Sequence, residues 1–138
     1  MKTKQIIYWA ARIVASLIML QTLYFKFTAS PESVYIFTTV GMEPWGRIGV
    51  GIFELFASVL ILVPSLVWLG SLLALGLMAG AIGMHATLLG IEVMGDGGQL
   101  FMYAVIVAIC SAYAFWQSRA TLPLMIRRFL PLFLQEPK

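Results

Sequence analysis

IIYWAARIVASLIMLQTLYFKF, residues 6–27, decides the class of fold. A helix needs about 20 consecutive, mostly apolar residues to cross the hydrocarbon core of a bilayer. This run reaches that length with Arg12 and Lys26 as its only charges. Lys2 and Lys4 precede it, as in a secretory leader. However, no small-x-small cleavage site follows, and Arg12 interrupts the apolar run early. The segment therefore reads as a first membrane span rather than a cleaved leader.

The whole chain agrees with this reading. It has 138 residues, 61% of them hydrophobic and only 11% charged, with a mean hydropathy of +0.93. A soluble domain carries about 25% charged residues, so this chain lacks the polar groups to cover a surface in water. A single cysteine, Cys110, rules out an internal disulfide and dithiol redox chemistry, and it reads as a small buried hydrophobe. The net charge of +3 sits mostly at the two ends. Without a basic stripe it indicates membrane orientation, not nucleic acid.

Moving outward, Ser30-Pro31-Glu32 is a helix start: an N-cap, a proline at the first helical position and an acid in the first turn. Gly41 is its stop. The stretch between is too short to span and reads as an interfacial helix. Glu43-Pro44-Trp45 opens a second span over about 45–63, and Pro64-Ser65 ends it, with Ser65 as N-cap of a third over about 66–89. The Gly95-Asp96-Gly97-Gly98 turn precedes a fourth span over about 100–116. The tail, with Pro123, Pro131 and Arg127-Arg128, suits the surface of an anionic leaflet. The expectation is an all-α fold: one membrane domain, residues 1–138, built as an integral four-helix bundle with an interfacial helix after the first span and an interfacial tail. Gly76 and Gly80, with Gly83 nearby, and Ala104, Ala108 and Ala112 have the small-residue spacing of close helix packing. They read as contacts within the bundle ahead of a homodimer seam.

Ionisable side chains inside the spans carry the functional information, because a charge at mid-bilayer costs at least ~2.5–3.5 kcal/mol and must be compensated. Rising 1.5 Å per residue, Arg12 lies roughly 10 Å in from one face and Glu54 roughly 14 Å from the other. Their matched depth predicts an Arg12–Glu54 ion pair, either a structural clamp or part of a site. His85 lies near the outer surface, level with Lys26 and Arg47. With no second histidine, it supports neither a transition-metal site nor bis-histidine haem. Lys26, Glu54 and His85 are expected to face one outward-opening pocket, together with Arg12 and rimmed by Tyr24 and Trp45. The aromatics at the span ends read first as an interfacial belt, although Tyr24, Trp45 and Tyr103 also suit stacking on a flat ring.

These residues resemble the DoxX-like membrane proteins. The resemblance rests on Arg12 early in the first span, Tyr24-Phe25-Lys26-Phe27 closing it, Gly51 and Glu54 in the second, and Gly83 and His85 late in the third. LQTLYFKFTASPESVY over 20–35 and the Gly-Asp-Gly-Gly core of 90–101 add to it. The similarity runs over roughly residues 6 to 117, and each motif is short, so its specificity lies in order and spacing. The resemblance implies a four-helix membrane fold whose polar positions fall on Arg12, Lys26, Glu54 and His85. The family takes its name from a subunit of an archaeal thiosulfate:quinone oxidoreductase, and distant animal relatives act as receptor-assembly chaperones. The chain carries no electron-carrying group of its own, so the expected role is a quinone- or lipid-contacting accessory subunit of a membrane redox system, not an independent enzyme. The alternative is an assembly module for other membrane proteins. The cofactor is left open, with quinone the one class that this role allows, and neither haem nor metal is expected. Expected partners are the bilayer and either other membrane subunits or a second copy, with no nucleic acid.

Lys2, Lys4, Arg119, Arg127, Arg128 and Lys138 at the ends, against Glu32, Glu43, Glu92 and Asp96 in the longer loops, predict a multi-pass protein of the inner (cytoplasmic) membrane with both termini cytoplasmic. A topology reporter fused after Lys138 is expected to read cytoplasmic and one inserted at Gly97 external. A cytoplasmic reading at Gly97 would contradict the charge argument.

Overall fold

In a computed structural model, which describes residues 2–123 and 126, the chain is helical from Lys2 onward. Helix α1 covers Lys2–Phe27, α2 Pro31–Thr39, α3 Trp45–Leu60, α4 Val67–Met84 and α5 Gln99–Ser118. A π-helical turn, His85–Leu89, extends α4, and a 3-10 turn, Arg119–Thr121, follows α5. Three helices are long and apolar enough to cross a membrane: α1, α4 with its π-helical extension, and α5 with its 3-10 turn. Helix α3, at 16 residues, is shorter than the second span expected over 45–63. Its helix ends at Leu60, and residues 61–66 form a turn. Most of the tail expected at the membrane surface, including Arg127 and Arg128, lies outside the described residues.

The local signals act as the residue types dictate. Ser30 caps α2, its hydroxyl accepting from the Ser33 N–H at 3.3 Å, with Pro31 at the first turn. Gly41 ends that helix at φ +78°, a conformation L side chains rarely adopt. Ser65 does not cap α4; Leu66 takes the cap position with no side-chain hydrogen bond there. The turn leads into α4 through backbone bonds, Leu66 N–H to Val63 O at 2.9 Å and Gly70 N–H to Leu66 O at 3.0 Å, rather than through a side-chain cap.

Packing follows small residues. Helix α1 packs on α3 and α5, and α4 packs on α3 and α5, while α2 lies over α1, α3 and the π-helical turn. The core joins Ala15 and Met19 of α1, Ala57 of α3, Ala74 and Met78 of α4, and Ala104, Val107 and Ala114 of α5. Buried residues on α5 fall at Ala104, Val107, Ser111, Ala114 and Ser118, a helical stripe that only partly coincides with the expected Ala104–Ala108–Ala112 series. The large apolar side chains point the other way: Leu17, Phe53, Phe56, Val59 and Ile109 are all more than half exposed. A surface of this kind suits hydrocarbon, because membrane helices gain from close backbone approach inside and lose nothing by exposing leucine to lipid.

The glycines divide in an informative way. A Cβ at Gly70 would lie 2.4 Å from the Ile61 backbone nitrogen, so this glycine is what lets α4 fold back against the end of α3. Around Gly76, Gly80 and Gly83 nothing lies within 4 Å of such a Cβ. The expectation that these three glycines mediate packing within the chain is therefore corrected: they face outward. Gly70→Ala is expected to lower the thermal unfolding midpoint in detergent, because overpacking against a rigid backbone costs ~1–3 kcal/mol. Gly76→Ala and Gly80→Ala should leave the midpoint unchanged or raise it. Equal losses at all three positions would contradict this division.

Candidate functional site

Helices α1 and α3 run antiparallel, and polar contacts mark their seam from end to end. Arg12, 1% exposed, does not reach Glu54. Its Nε donates to Ile61 O and its Nη2 to Leu62 O, both at 2.8 Å. Its guanidinium also lies over the Trp9 ring at 3.8 Å and near Tyr8 at 5.0 Å. The two carbonyls follow α3, where a helix leaves its last C=O groups without partners and carries partial negative charge. At the other end Arg47, near the start of α3, donates to the Lys26 carbonyl at the end of α1 and pairs with Glu43 at 2.8 Å. Each helix thus carries near its own N-terminal side an arginine that serves the C-terminal end of its partner. Between them the Ser16 hydroxyl donates to Ser58 O at 3.0 Å, and Ser58 donates to Glu54 O at 2.7 Å.

The expected Arg12–Glu54 pair is therefore corrected. Matched depth placed both residues within reach of one seam, but the arginine takes carbonyls about two turns further on, just beyond the end of α3. The partner of Glu54 is Lys26, its Nζ 3.0 Å from Oε2. That contact is ionic without being a well-directed hydrogen bond, and Oε2 has no other partner. The Thr22 hydroxyl, which donates to Met19 O at 2.8 Å, lies beside it.

His85, 5% exposed, opens the π-helical turn. Single π turns recur where a helix must re-aim a side chain. Here Gly90, at φ +78° and ψ 171°, ends the turn in a region essentially restricted to glycine. Its carbonyl lies 2.8 Å from His85 Nδ1. A carbonyl only accepts, so Nδ1 carries the hydrogen. The imidazole stands edge-on to Phe101, centroids 5.7 Å apart. Beyond it the Gly-Asp-Gly-Gly turn is organised by Asp96. Its Oδ1 accepts from the N–H groups of Val93 at 3.0 Å and Gly98 at 2.8 Å, and Oδ2 accepts from Leu100 at 3.2 Å. Partial burial raises the carboxyl's pKa, but these three N–H donors, together with the field of His85, outweigh it and hold the group below the ordinary aspartate range.

Lys26, Glu54 and His85 line one cavity of about 120 Å³, which is otherwise walled by Met19, Phe37, Val50, Met78, Leu100 and neighbouring apolar groups. Thr22, Lys26, Ile36, Leu100 and Tyr103 also border a second space of about 260 Å³, whose rim includes Gln21, Glu32, Asp96 and Gln99. The first is called the chamber and the second the vestibule; the two are comparably open, and Lys26 lies on the wall they share. Three of the six expected pocket residues are brought together here. Arg12 is at the far end of α1, and Tyr24 and Trp45 point outward at 68% and 65% exposure. The rim expected from Tyr24 and Trp45 is instead polar, with Tyr103 held by Gln99 at 2.9 Å. Sequence reasoning missed Thr22, although it lies one turn before Lys26 on the same face. It also missed the α2 residues Ile36 and Phe37, which no periodicity could assign to a lid.

If Lys26 compensates Glu54, then Glu54→Gln should lower the unfolding midpoint, while Glu54→Gln with Lys26→Met should recover much of the loss. Removing one partner of a buried pair costs ~3–5 kcal/mol, and replacing both can be near neutral. Glu54→Gln with Arg12→Leu should show no such recovery, since Arg12 serves a different partner. Recovery in the Arg12 pair and not in the Lys26 pair would contradict the observed geometry.

The DoxX family model matches residues 7–87, a stretch containing Arg12, Lys26, Glu54 and His85. No curated protein and no solved structure matches. With more than half of its 138 residues matched, the chain belongs to the DoxX family.

Proposed function

We propose that this DoxX protein crosses the inner membrane four times, with both termini cytoplasmic, and binds the polar head of an amphipathic ligand, a quinone or a lipid, as an accessory subunit of a membrane redox system. Helix α3 serves as the fourth span of the bundle. It is flanked by α1 and α4, and Ile48, Ile52, Phe53, Phe56 and Val59 on its outer side present an apolar face. At ~24 Å it is shorter than a ~30 Å hydrocarbon core, and the 61–66 turn makes up the difference at one end.

One observation carries the ligand reading: the Lys26–Glu54 pair and His85 share a largely apolar chamber that adjoins a second space bordered by Gln21, Glu32, Asp96 and Gln99. Such a site matches a ligand with a polar head and an apolar body. The chain's own residues bind and orient that ligand; redox chemistry would belong to the ligand and to a partner subunit. A second reading, an assembly module, draws on the open glycine face of α4 at Gly76, Gly80 and Gly83, where another helix could approach closely.

Purification in mild detergent, followed by mass spectrometry of extracted small molecules and co-purifying proteins, tests both. The ligand reading predicts a quinone or lipid retained in near-stoichiometric amount and lost from Glu54→Gln. A protein partner retained without any small molecule, and released by bulky substitution at Gly80, would replace it with the assembly reading.

A further inference from the structure

Glu54 is the buried carboxylate of the chamber, 4% exposed, paired with the Lys26 ammonium and with the Thr22 hydroxyl beside it. Lys26 borders both chamber and vestibule. It is a long, flexible side chain, able to turn from one space toward the other. The vestibule carries two further carboxylates, Glu32 and Asp96. Asp96 is committed to three backbone N–H groups, whereas Glu32 makes no ion pair among the described residues. A ligand entering from the vestibule therefore passes two carboxylates and then meets a third.

We infer that the chamber takes a primary ammonium head on a short apolar body, and that Lys26 is the tethered stand-in for it. This rests on reading the cavity as a ligand site, and it selects a cationic, lipid-like head over a neutral ring. Entry works by exchange: Lys26 turns from Glu54 to Glu32 as the incoming ammonium takes Glu54. Each carboxylate keeps a cation, so no buried charge is left uncompensated at any stage. The walls suit such a ligand. Phe37 and Tyr103 are lining aromatic groups of a kind an ammonium favours, and Met19 and Met78 adapt to an alkyl chain. An anionic head would meet three carboxylates against one lysine.

The test is thermal unfolding of the full chain in amine-free detergent, with n-butylammonium chloride, n-butanol and sodium chloride compared at matched concentration. Butylammonium is expected to raise the midpoint saturably, and the alcohol and sodium salt are not. Glu54→Gln should abolish the effect, and Glu32→Gln should weaken half-saturation severalfold. Lys26→Ala should unfold at a lower midpoint and be restored by butylammonium at a concentration about tenfold lower than wild type needs, because a tethered competitor at millimolar effective concentration has been removed. If Lys26→Ala does not fold, the two carboxylate variants carry the test. An amine effect that survives Glu54→Gln overturns the inference. Equal stabilisation by butanol overturns it while leaving the ligand cavity standing, and stabilisation by neither overturns both. Repeating the measurement with phosphatidylethanolamine against phosphatidylglycerol identifies the source: a response to the first lipid alone means a lipid head, and a response to butylammonium alone means a free amine.

Discussion

The constraint that governs this molecule is that a charge held away from water must be compensated where it lies. Arg12 meets it through the peptide backbone, and Arg47 through a backbone carbonyl together with the Glu43 carboxylate. Arg12 and Arg47, at opposite ends of the antiparallel α1–α3 seam, each turn to carbonyls at the C-terminal end of the other helix. These interactions fix which turns of α1 and α3 lie side by side. The serine contacts between them hold the same register, and that register is what brings Lys26 level with Glu54.

Because the helix ends serve as counter-charges, no carboxylate is spent on Arg12, and Glu54 is left for Lys26. The two kinds of compensation differ in consequence. An arginine fork on two carbonyls, with Trp9 stacked against it, is closely held and has the character of a structural clamp. A lysine on a carboxylate, on the wall that two cavities share, is a single contact on a flexible chain. The candidate site therefore lies where the seam is polar but not clamped.

The chamber also depends on how the other elements close over that point. The π-helical turn, ended by Gly90, brings His85 to the same space from α4. Asp96 ties the following loop and the first turn of α5 together, so Tyr103 and Leu100 become walls. Helix α2 supplies Ile36 and Phe37. The cavity is a product of five elements: α1, α2, α3, α4 with its π-helical turn, and α5.

By itself the sequence determined the helical class, the membrane character, the α2 cap at Ser30-Pro31 and its stop at Gly41, because these follow from hydropathy, length and local backbone preference. It also marked Lys26, Glu54 and His85 as side chains that had to turn inward, since the cost of a charge in hydrocarbon does not depend on its partner. Tertiary structure decided the partners. Depth along a helix says how far apart two residues are along one axis and nothing about rotation around it or the reach of a side chain, so depth matched Arg12 to Glu54 while the fold turned Lys26 to it. Backbone carbonyls, which every residue carries, leave no trace in composition as counter-charges. The same geometric reason separates Gly70, pressed against Ile61, from Gly76 and Gly80, which face outward. A small residue permits close approach, and only the assembled fold determines whether anything approaches.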